Sequence, residues 1–266
     1  MSVSTVTGKM VWITGASSGI GEALAYELAA RGASLVLSAR REAELRRVQA
    51  ACQHAEEHLV LPLDMREQAS FAPAIQAALK RFGRIDTLVH CAGISQRARA
   101  MDTQLTVDRQ IMELNYFGPV GLTKQVLPEM VSRGSGQIVV ISSLLGRIAA
   151  PARSAYCASK HALHGFFDAL RAEVYPHGIA VTIICPGFVH TNVSLNALTG
   201  DGKAHSKMDE LIAGGLPSDV CARRIAKAIE GRRREVYIGQ KEVLGVYFSR
   251  WAPNLFHRFI RNTQLK

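Results

Sequence analysis

Seven short runs of apolar, often β-branched residues recur along the chain, separated by segments long enough to form helices. Runs without a polar face are typical of strands buried on both sides, as in a parallel sheet covered by helices. The alternation therefore predicts a single α/β domain with a doubly wound parallel sheet of about seven strands and helices on both faces. The runs read KMVWIT, SLVLSA, HLVLPLD, DTLVHCAG, QIVVISS, IAVTIICP and EVYIG.

A segment at residues 192–218 departs from this pattern. It combines glycines with scattered apolar residues, which predicts an insertion or lid within a main domain of residues 1–240. We expect its apolar side chains, together with Leu144 and Leu145, to line a ligand cavity; the alternative is that they only cover the edge of the sheet. These lid residues are Val193, Leu195, Leu198, Met208, Leu211, Ile212 and Leu216.

The last segment, residues 241–266, is a basic amphipathic tail. Leu255, Phe256, Phe259 and Ile260 recur at helical spacing, and basic residues occupy the other faces. This pattern suits an anionic membrane surface, although the charges argue against a membrane-spanning helix. The alternative is that the tail docks onto the body of the same chain or onto a second subunit.

Composition and charge indicate a globular domain and argue against a nucleic-acid-binding protein. The chain is 48% hydrophobic and 20% charged, which is ordinary for a globular domain, and its formal net charge is +10. Residues 223–266 hold eleven Lys and Arg residues against three acidic ones, a net charge of +8. Because no nucleic-acid-binding module accompanies this charge, we expect no nucleic-acid partner.

The five cysteines lie far apart, without a Cys-x-x-Cys pair or a Cys/His cluster, so we expect reduced thiols and no metal site. The first apolar run is too short for the core of a signal peptide or for a span. We therefore expect a cytoplasmic protein, with peripheral attachment to the inner face of a membrane as the consequence if the tail binds lipid.

The turn after the first run concentrates glycines. In a doubly wound sheet this turn faces a cofactor diphosphate, and Gly15, Gly19 and Gly21 permit a tight turn and close backbone approach. A helix that begins near Ile20 would direct its free N–H groups at the phosphates. The hydroxyls of Ser17 and Ser18 can add donors. The alternative is a glycine-rich turn without a ligand.

The end of the second run distinguishes between two nicotinamide cofactors. An acidic residue at this place holds a ribose 2′-hydroxyl, whereas this chain has Arg40 and Arg41. A guanidinium can bind a 2′-phosphate through charge-assisted hydrogen bonds. The sequence therefore favours NADP(H) over NAD(H). Alternatively, both arginines are solvated residues at the start of a helix.

Tyr156 and Lys160 are four residues apart at the start of a helical run, which places the phenol and the ammonium on one face. Ser143 lies thirteen residues before Tyr156, at the carboxyl end of a strand. A phenol with a pKa of about 10 is a poor base at neutral pH, so we expect two cations, Lys160 and an oxidised nicotinamide ring, to lower the pKa of Tyr156. Tyr156 would then act as an acid/base and Ser143 would donate to a carbonyl oxygen.

Taken together, these motifs resemble the short-chain dehydrogenase/reductase family, over residues 8–240. The resemblance implies a Rossmann-type fold, a nicotinamide cofactor and a catalytic group of Asn115, Ser143, Tyr156 and Lys160. It also implies a homo-oligomer, a dimer or a tetramer, built through the helices around Asn115 and Tyr156. The matching elements are Thr14-Gly15-xxx-Gly19-Ile20-Gly21, Ala92-Gly93, Asn115, Ser143, Tyr156-xxx-Lys160 and Pro186-Gly187.

The resemblance also assigns finer roles. Asn115 lies in the middle of a helical run, where we expect it to disturb the helix locally and bind a water that leads to Lys160. Asp64 would contact the adenine ring, with a helix N-cap as the alternative. Further cofactor contacts would come from Tyr156, Lys160, Ala92, Gly93, Pro186, Gly187, Val189 and Thr191.

One departure from the family pattern is His90-Cys91, where the family commonly has two asparagines. We expect a small loss of rigidity there, with catalysis retained. The sequence thus predicts an NADPH-dependent carbonyl reductase or alcohol dehydrogenase for an apolar lipid-, steroid- or retinoid-like compound. The alternative is a redox-sensing protein that binds NADP(H) without turnover.

Overall fold

A computed structural model describes residues 5–262, with the side chain of Asn262 left out. Seven strands form one sheet in the order β3-β2-β1-β4-β5-β6-β7, and every neighbouring pair is parallel. The predicted doubly wound sheet is confirmed. The strands are β1 (Met10–Thr14), β2 (Ser34–Ser38), β3 (Leu59–Val60), β4 (Thr87–His90), β5 (Gly136–Ile141), β6 (Ile179–Pro186) and β7 (Glu235–Ile238).

Helices connect the strands and cover the sheet. They are α1 (Gly19–Ala30), α2 (Glu42–Ala51), α3 (Phe71–Phe82), α4 (Leu105–Met112), α5 (Gly118–Arg133), α6 (Ser154–Val174), α7 (Glu210–Ala213), α8 (Ser218–Glu230), α9 (Leu244–Trp251) and α10 (Pro253–Asn262). Helices α1, α2 and α8 contribute to the apolar core on one face of the sheet, and α3, α5 and α6 contribute to the core on the other.

Strand periodicity produces these two cores. Successive side chains of a strand point to opposite faces, so Val11 and Ile13 of β1 join the core under α1. Trp12, between them, joins the core under α3 and α5, where its Nε1 donates to Ser38 Oγ at 2.9 Å. Because both faces of the strand are covered, no position of β1 needs to be polar, which explains the apolar run in the sequence.

A short π-helical segment, Glu113–Phe117, joins α4 to α5. Asn115 lies in it and is fully buried. The wider π turn inserts one extra residue into the helix and thereby redirects a side chain. The local disturbance that the sequence predicts at Asn115 is therefore confirmed.

The strand order reverses between β1 and β4, and ligands of such sheets bind outside the carboxyl ends of the strands at this point. Residues 192–218 lie above this edge and contain α7 and three isolated bridges. Helices α9 and α10 also lie there, with Val246 and Phe256 buried. Within residues 5–262, no helix combines the length and the apolar composition that crossing a bilayer requires.

Candidate active site

A large cavity opens at the carboxyl ends of the strands, with a volume of approximately 1160 Å³. One end is lined by the turns that follow β1, β2, β4 and β6, and the other by the lid segment, α9 and α10. The predicted site residues line this cavity, with Asn115 as the exception. They are Gly15, Ser17, Ser18, Gly19, Ile20, Gly21, Arg40, Arg41, Asp64, Ala92, Gly93, Ser143, Tyr156, Lys160, Pro186, Gly187, Val189 and Thr191.

The glycines after β1 are required by the geometry of the turn. Gly15 has a φ of +71°, and a Cβ on it would lie 2.6 Å from the backbone nitrogen of Ala92. A Cβ on Gly21 would collide with the carbonyl oxygen of Gly15. These contacts fix the turn against the end of β4. The hydroxyls of Ser17 and Ser18 face the cavity and form no hydrogen bond with any described residue.

Thr191 closes the same turn from the side of β6. A Cβ on Gly19, whose φ is +59°, would lie 3.2 Å from Thr191 Cγ2. Helix α1 begins at Gly19, and its first N–H groups face the cavity with the positive end of the helix dipole. The turn therefore has the backbone donors and the open space that a diphosphate needs.

Arg40 and Arg41 follow β2, and both side chains are exposed at the rim of the cavity. Neither guanidinium forms an ion pair or a hydrogen bond with another described residue. Arg41 immediately precedes α2 without capping it through its side chain. Two cationic groups thus stand at the place where the sequence predicts a 2′-phosphate.

Asp64 lines the cavity below these arginines. Its carboxylate pairs with Arg66 at 2.6 Å and accepts the backbone N–H of Arg66 at 3.0 Å, so it closes a local turn and caps no helix. The Arg66 hydrogen bonds lower the pKa of Asp64 despite partial burial. The helix N-cap alternative is therefore wrong, and the adenine contact of Asp64 stays a prediction.

Tyr156, Ser143 and Lys160 meet between β5 and α6. Ser143 acts on Tyr156 by lowering the pKa of the phenol, and Ser143 Oγ donates to the Pro186 carbonyl oxygen at 3.4 Å. Lys160 Nζ donates to the carbonyl oxygen of Ile141 at 2.8 Å and lies 5.7 Å from the centre of the Tyr156 ring. Ser143 Oγ also accepts from the backbone N–H of Leu145 at 3.1 Å, which orients the hydroxyl.

Burial is the main influence on the pKa values of both Tyr156 and Lys160. Burial raises the pKa of Tyr156 above its usual value, although Ser143 and two nearby arginines act in the opposite direction. Burial also lowers the pKa of Lys160 to about 8. Among the residues of the chain, loss of solvation therefore outweighs the neighbouring charges, and a lowering of the Tyr156 pKa by Lys160 together with the oxidised nicotinamide ring stays a prediction. A protonated phenol is the form suited to donating a proton.

Asn115 does not reach the cavity. Its Oδ1 accepts the backbone N–H of Ile94 at 2.9 Å, and its Nδ2 donates to the Ile94 carbonyl at 2.9 Å and to Ser159 Oγ at 3.0 Å. A Cβ on Gly93 would lie 3.3 Å from Asn115 Oδ1 and 3.6 Å from Lys160 Nζ. Asn115 therefore fixes the turn after β4 beside Lys160, and a water route to Lys160 stays a prediction.

The departure at His90-Cys91 is accommodated by other polar groups. His90 is buried, and its Nε2 lies 2.7 Å from Thr123 Oγ1. Thr14 Oγ1 donates to the carbonyl oxygen of Val89 at 3.3 Å and lies 3.3 Å from the backbone nitrogen of Cys91. These contacts link β1, β4 and α5 at the place where the family pattern has asparagines.

The substrate end of the cavity agrees only in part with the predicted lining. Val193, Leu211 and Ile212 of the lid face the cavity, as do Leu144 and Leu145. Leu195, Leu198, Met208 and Leu216 do not, so their prediction as lining residues is wrong. Leu198 and Leu216 are buried in apolar clusters instead, because isolated bridges hold the segment against the body.

The tail supplies the lining that the sequence did not assign. Phe248, Phe256, Phe259 and Ile260 face the cavity, so the tail docks onto the body of its own chain, as one of the alternatives predicts. The period of these residues identified an amphipathic helix, but the period alone does not indicate what the apolar face contacts.

Two further clusters were not predicted. Arg97, Arg153 and Asp209 come together at the cavity wall beside Tyr156. On the other side of Ser142, His164 and Cys185 lie near Glu235, and ligand atoms of these three residues lie within 4.8 Å of one another. Glu235 pairs with Arg147 at 2.7 Å, which supplies a cation to that carboxylate already. Residues this far apart in sequence give no local signal.

Comparison with known proteins agrees with this geometry. The sequence model of a family described as short chain dehydrogenase matches residues 9–201. The chain belongs to the short-chain dehydrogenase/reductase family, a family of oxidoreductases.

Relatives and solved structures support this assignment. A dehydrogenase/reductase SDR family protein 7-like from Anopheles gambiae is 45% identical over 94% of this chain and 81% of its own length. The human dehydrogenase/reductase SDR family member 7 is 45% identical over 93% of this chain and 76% of its own length. A Streptomyces avermitilis short-chain dehydrogenase superimposes with a TM-score of 0.80 at 31% identity, covering 96% of this chain and 98% of that one.

A Burkholderia phymatum short-chain dehydrogenase/reductase, solved in complex with NAD, superimposes with a TM-score of 0.84. It is 23% identical, and the alignment covers 96% of each chain. This likeness shows the fold.

Proposed function

We propose that the chain is an NADPH-dependent carbonyl reductase that also runs as an alcohol dehydrogenase, with an apolar lipid-, steroid- or retinoid-like substrate. One observation carries the proposal: Ser143, Tyr156 and Lys160 line the same cavity as the glycine turn after β1. A site for proton transfer and a site for a dinucleotide are therefore continuous, as an oxidoreductase of this family requires.

The residues present fit a nicotinamide dinucleotide. Gly15 and Gly21 let the turn after β1 pack closely against the end of β4 and against itself, and the unpaired hydroxyls of Ser17 and Ser18 face the space beside this turn, where a diphosphate would bind. The exposed Arg40 and Arg41 would hold a 2′-phosphate, which supports NADP(H) over NAD(H). When bound, the reduced nicotinamide supplies the hydride that a carbonyl carbon accepts.

The chain's own side chains act at the carbonyl oxygen. Tyr156 Oη gives its proton to this oxygen as negative charge develops there, and the high pKa of the buried phenol keeps that proton in place beforehand. Ser143 Oγ donates a hydrogen bond to the same oxygen. Its position is fixed by Leu145, so little reorganisation is needed. Lys160, whose Nζ lies 5.7 Å from the centre of the Tyr156 ring, would hold the nicotinamide ribose.

Replacing the phenol tests the assignment directly. Tyr156→Phe keeps the ring and removes the transferable proton, so kcat/KM should fall at least about a hundredfold while cofactor affinity stays within about twofold. Consumption of NADPH, followed at 340 nm with a panel of apolar ketones, measures kcat/KM. Fluorescence titration with NADPH measures the cofactor affinity. Tyr175→Phe is the matched control, because Tyr175 is 80% exposed and lies outside the cavity.

The same assay separates the enzyme from a non-catalytic redox sensor. NADPH binding without consumption across the panel, in the parent protein as in Tyr156→Phe, would favour the sensor. Turnover of the Tyr156→Phe protein within tenfold of the parent would remove Tyr156 from the mechanism.

We also propose that α9 and α10 bring the cavity to an anionic membrane surface. Trp251 is 88% exposed and Leu255 is 58% exposed, and neither lines the cavity. Phe259 lines the cavity and is still 62% exposed. Arg250 and Arg258 are exposed beside them. Each basic residue near an anionic surface contributes about 1 kcal/mol, and inserted aromatic side chains add to this.

Co-sedimentation with vesicles of phosphatidylglycerol and phosphatidylcholine tests the surface. The full chain should bind at low salt and dissociate at high salt. The Trp251→Ser/Leu255→Ser double variant should bind at least tenfold more weakly, whereas Met101→Ser, which removes an 83% exposed side chain elsewhere, should bind normally. Equal binding of all three proteins would assign the tail a purely structural role.

Quaternary structure and location stay predictions. We propose a homo-oligomer through the helices around Asn115 and Tyr156, to be measured by analytical ultracentrifugation of the full chain. We propose a cytoplasmic protein, in which the tail provides peripheral attachment to the inner face of the membrane.

A further inference from the structure

The wall of the cavity beside Tyr156 contains two buried guanidinium groups and one carboxylate. Arg97, Arg153 and Asp209 have side chains no more than 9% exposed, and all three line the cavity. Both arginines pair with the same oxygen, Oδ2 of Asp209, at 2.6 Å from Arg97 and 3.1 Å from Arg153. Because burying a charge is costly unless it is paired, a surplus positive charge here requires an explanation.

The two arginines differ in how many of their guanidinium N–H donors form hydrogen bonds. Arg97 Nη1 donates to Ser95 Oγ and to the Gln96 carbonyl oxygen, both at 2.7 Å, and its Nε donates to Asp209 at 2.8 Å. Arg153 has one bond to Asp209 and a long contact of 3.5 Å with the Ala152 carbonyl oxygen. A guanidinium carries five N–H donors, so most of those on Arg153 are unused by the described residues.

Among residues 5–262, no second carboxylate pairs with Arg153. Of the other acidic residues at the cavity wall, Asp64 pairs with Arg66, and Glu242 accepts the backbone N–H of Phe188 at 3.2 Å. Burial and the charge of Arg97 lower the pKa of Arg153 to about 10, so the side chain stays protonated at neutral pH. The cluster therefore has a net charge of +1 beside the cavity.

The position of Arg153 in the chain places this positive charge close to Tyr156. It directly precedes α6, three residues before Tyr156, so its guanidinium and the phenol come from the same end of one helix. The same cavity is also lined by apolar side chains of the tail, Phe248, Phe256 and Ile260. A ligand that complements both the positive charge at Arg153 and the apolar tail residues has a single negative charge near its reactive group and an apolar chain beyond it.

We propose that Arg153 binds the carboxylate of an amphipathic substrate, a long-chain oxo or hydroxy acid, whose carbonyl or hydroxyl group lies at Tyr156. This deepens the proposed function and rests on it for the reaction, but the binding of the carboxylate is a separate property. A carboxylate has the charge that neutralises the cluster and the two oxygens that a guanidinium fork accepts. A phosphate monoester, with a charge near −2, would overcompensate the cluster.

Binding of unreactive ligands tests the carboxylate site without turnover. We expect the full chain to bind decanoate at least tenfold more tightly than methyl decanoate, measured by calorimetry below the micelle concentration. Arg153→Met should reduce decanoate affinity to that of the ester and leave ester affinity unchanged. Arg153→Lys should retain part of the preference. Arg109→Met, which removes an exposed arginine outside the cavity, is the control.

Three results would overturn the site. Equal affinities for decanoate and its ester in the parent protein would show that no carboxylate is recognised. An equal loss of both affinities in Arg153→Met would show that Arg153 only holds the lid through Asp209. Tighter binding of decyl phosphate than of decanoate would reassign the site to a dianion and would overturn the carboxylate assignment.

A turnover experiment then separates this proposal from the proposed function. NADPH consumption with 5-oxodecanoate and with its methyl ester should favour the acid at least tenfold in kcat/KM, and Arg153→Met should remove that preference. Decanoate binding that depends on Arg153, together with no consumption of any carbonyl compound, would overturn the reductase and leave the carboxylate site standing.

Discussion

The buried ring of His90 should make the stability of the fold depend on pH in a predictable direction. Its side chain is 2% exposed, its Nε2 contacts Thr123, and its Nδ1 has no hydrogen-bond partner among residues 5–262. Burial lowers the pKa of His90 to about 3. The unfolded chain takes up a proton on this ring near pH 6.5, whereas the folded chain excludes it until about pH 3.

The sign and size follow from proton linkage. Below pH 6.5 the unfolded state binds more protons, so the free energy of unfolding falls as the pH falls, by about 1.4 kcal/mol per pH unit for one such ring. At pH 5 the loss from His90 is therefore about 2 kcal/mol. His164, whose pKa burial lowers to about 4, adds a loss of the same sign. The low pKa of Glu235, about 2, affects stability only below about pH 4.5.

Urea unfolding at pH 7 and pH 5 measures the effect. His90→Asn removes the titrating ring and should lose about 2 kcal/mol less than the parent between these pH values. His161→Asn, at an exposed position, should match the parent. If His90→Asn loses as much stability as the parent, the ring is not buried in its neutral form and the reasoning fails.

Two further predictions concern the cofactor end of the cavity. Arg40→Glu should change a preference for NADPH into one for NADH, because the charge-assisted bonds to a 2′-phosphate are worth about 1.5 to 3 kcal/mol each. Fluorescence titration with both cofactors measures the two affinities. Equal affinities of the parent protein for NADPH and NADH would contradict the assignment. Gly15→Ala should lower stability by about 2 to 5 kcal/mol, from the positive φ and from the contact with Ala92 together, whereas Gly83→Ala, at a positive φ with open space, should cost about 1 to 2 kcal/mol in thermal or urea unfolding.

The parts of the molecule that the sequence predicted well are those governed by local rules. The apolar runs gave the seven strands because burial on both faces excludes polar residues at every position. The glycines marked the first turn because Gly15 has a positive φ and a neighbour too close for a side chain. The spacing from Tyr156 to Lys160 placed both side chains on one face of α6.

The parts that the sequence did not predict depend on contacts between distant segments. Arg97, Arg153 and Asp209 look like ordinary charged residues until the lid brings Asp209 to the start of α6. The pKa of Tyr156 could not be anticipated from the charge of Lys160, because solvation of the phenol depends on the walls of the cavity. Leu198 and Leu216 resemble lining residues in composition, but the bridges of their segment direct them into clusters.

The ion pairs of Asp209 with Arg97 and Arg153 affect the kinetics of ligand exchange. For residues 192–218 to move away from the body, Asp209 must separate from Arg97 and Arg153, and three nearly dry charged groups must take up water in a changed arrangement. Helices α9 and α10 contact the body through apolar side chains such as Val246 and Phe256, and no ion pair among the described residues anchors them. The tail is therefore the wall with the lower barrier to displacement, and we expect its opening to set the rate at which a product leaves. In this protein the segment that resembles a lid in sequence is the fixed side of the cavity.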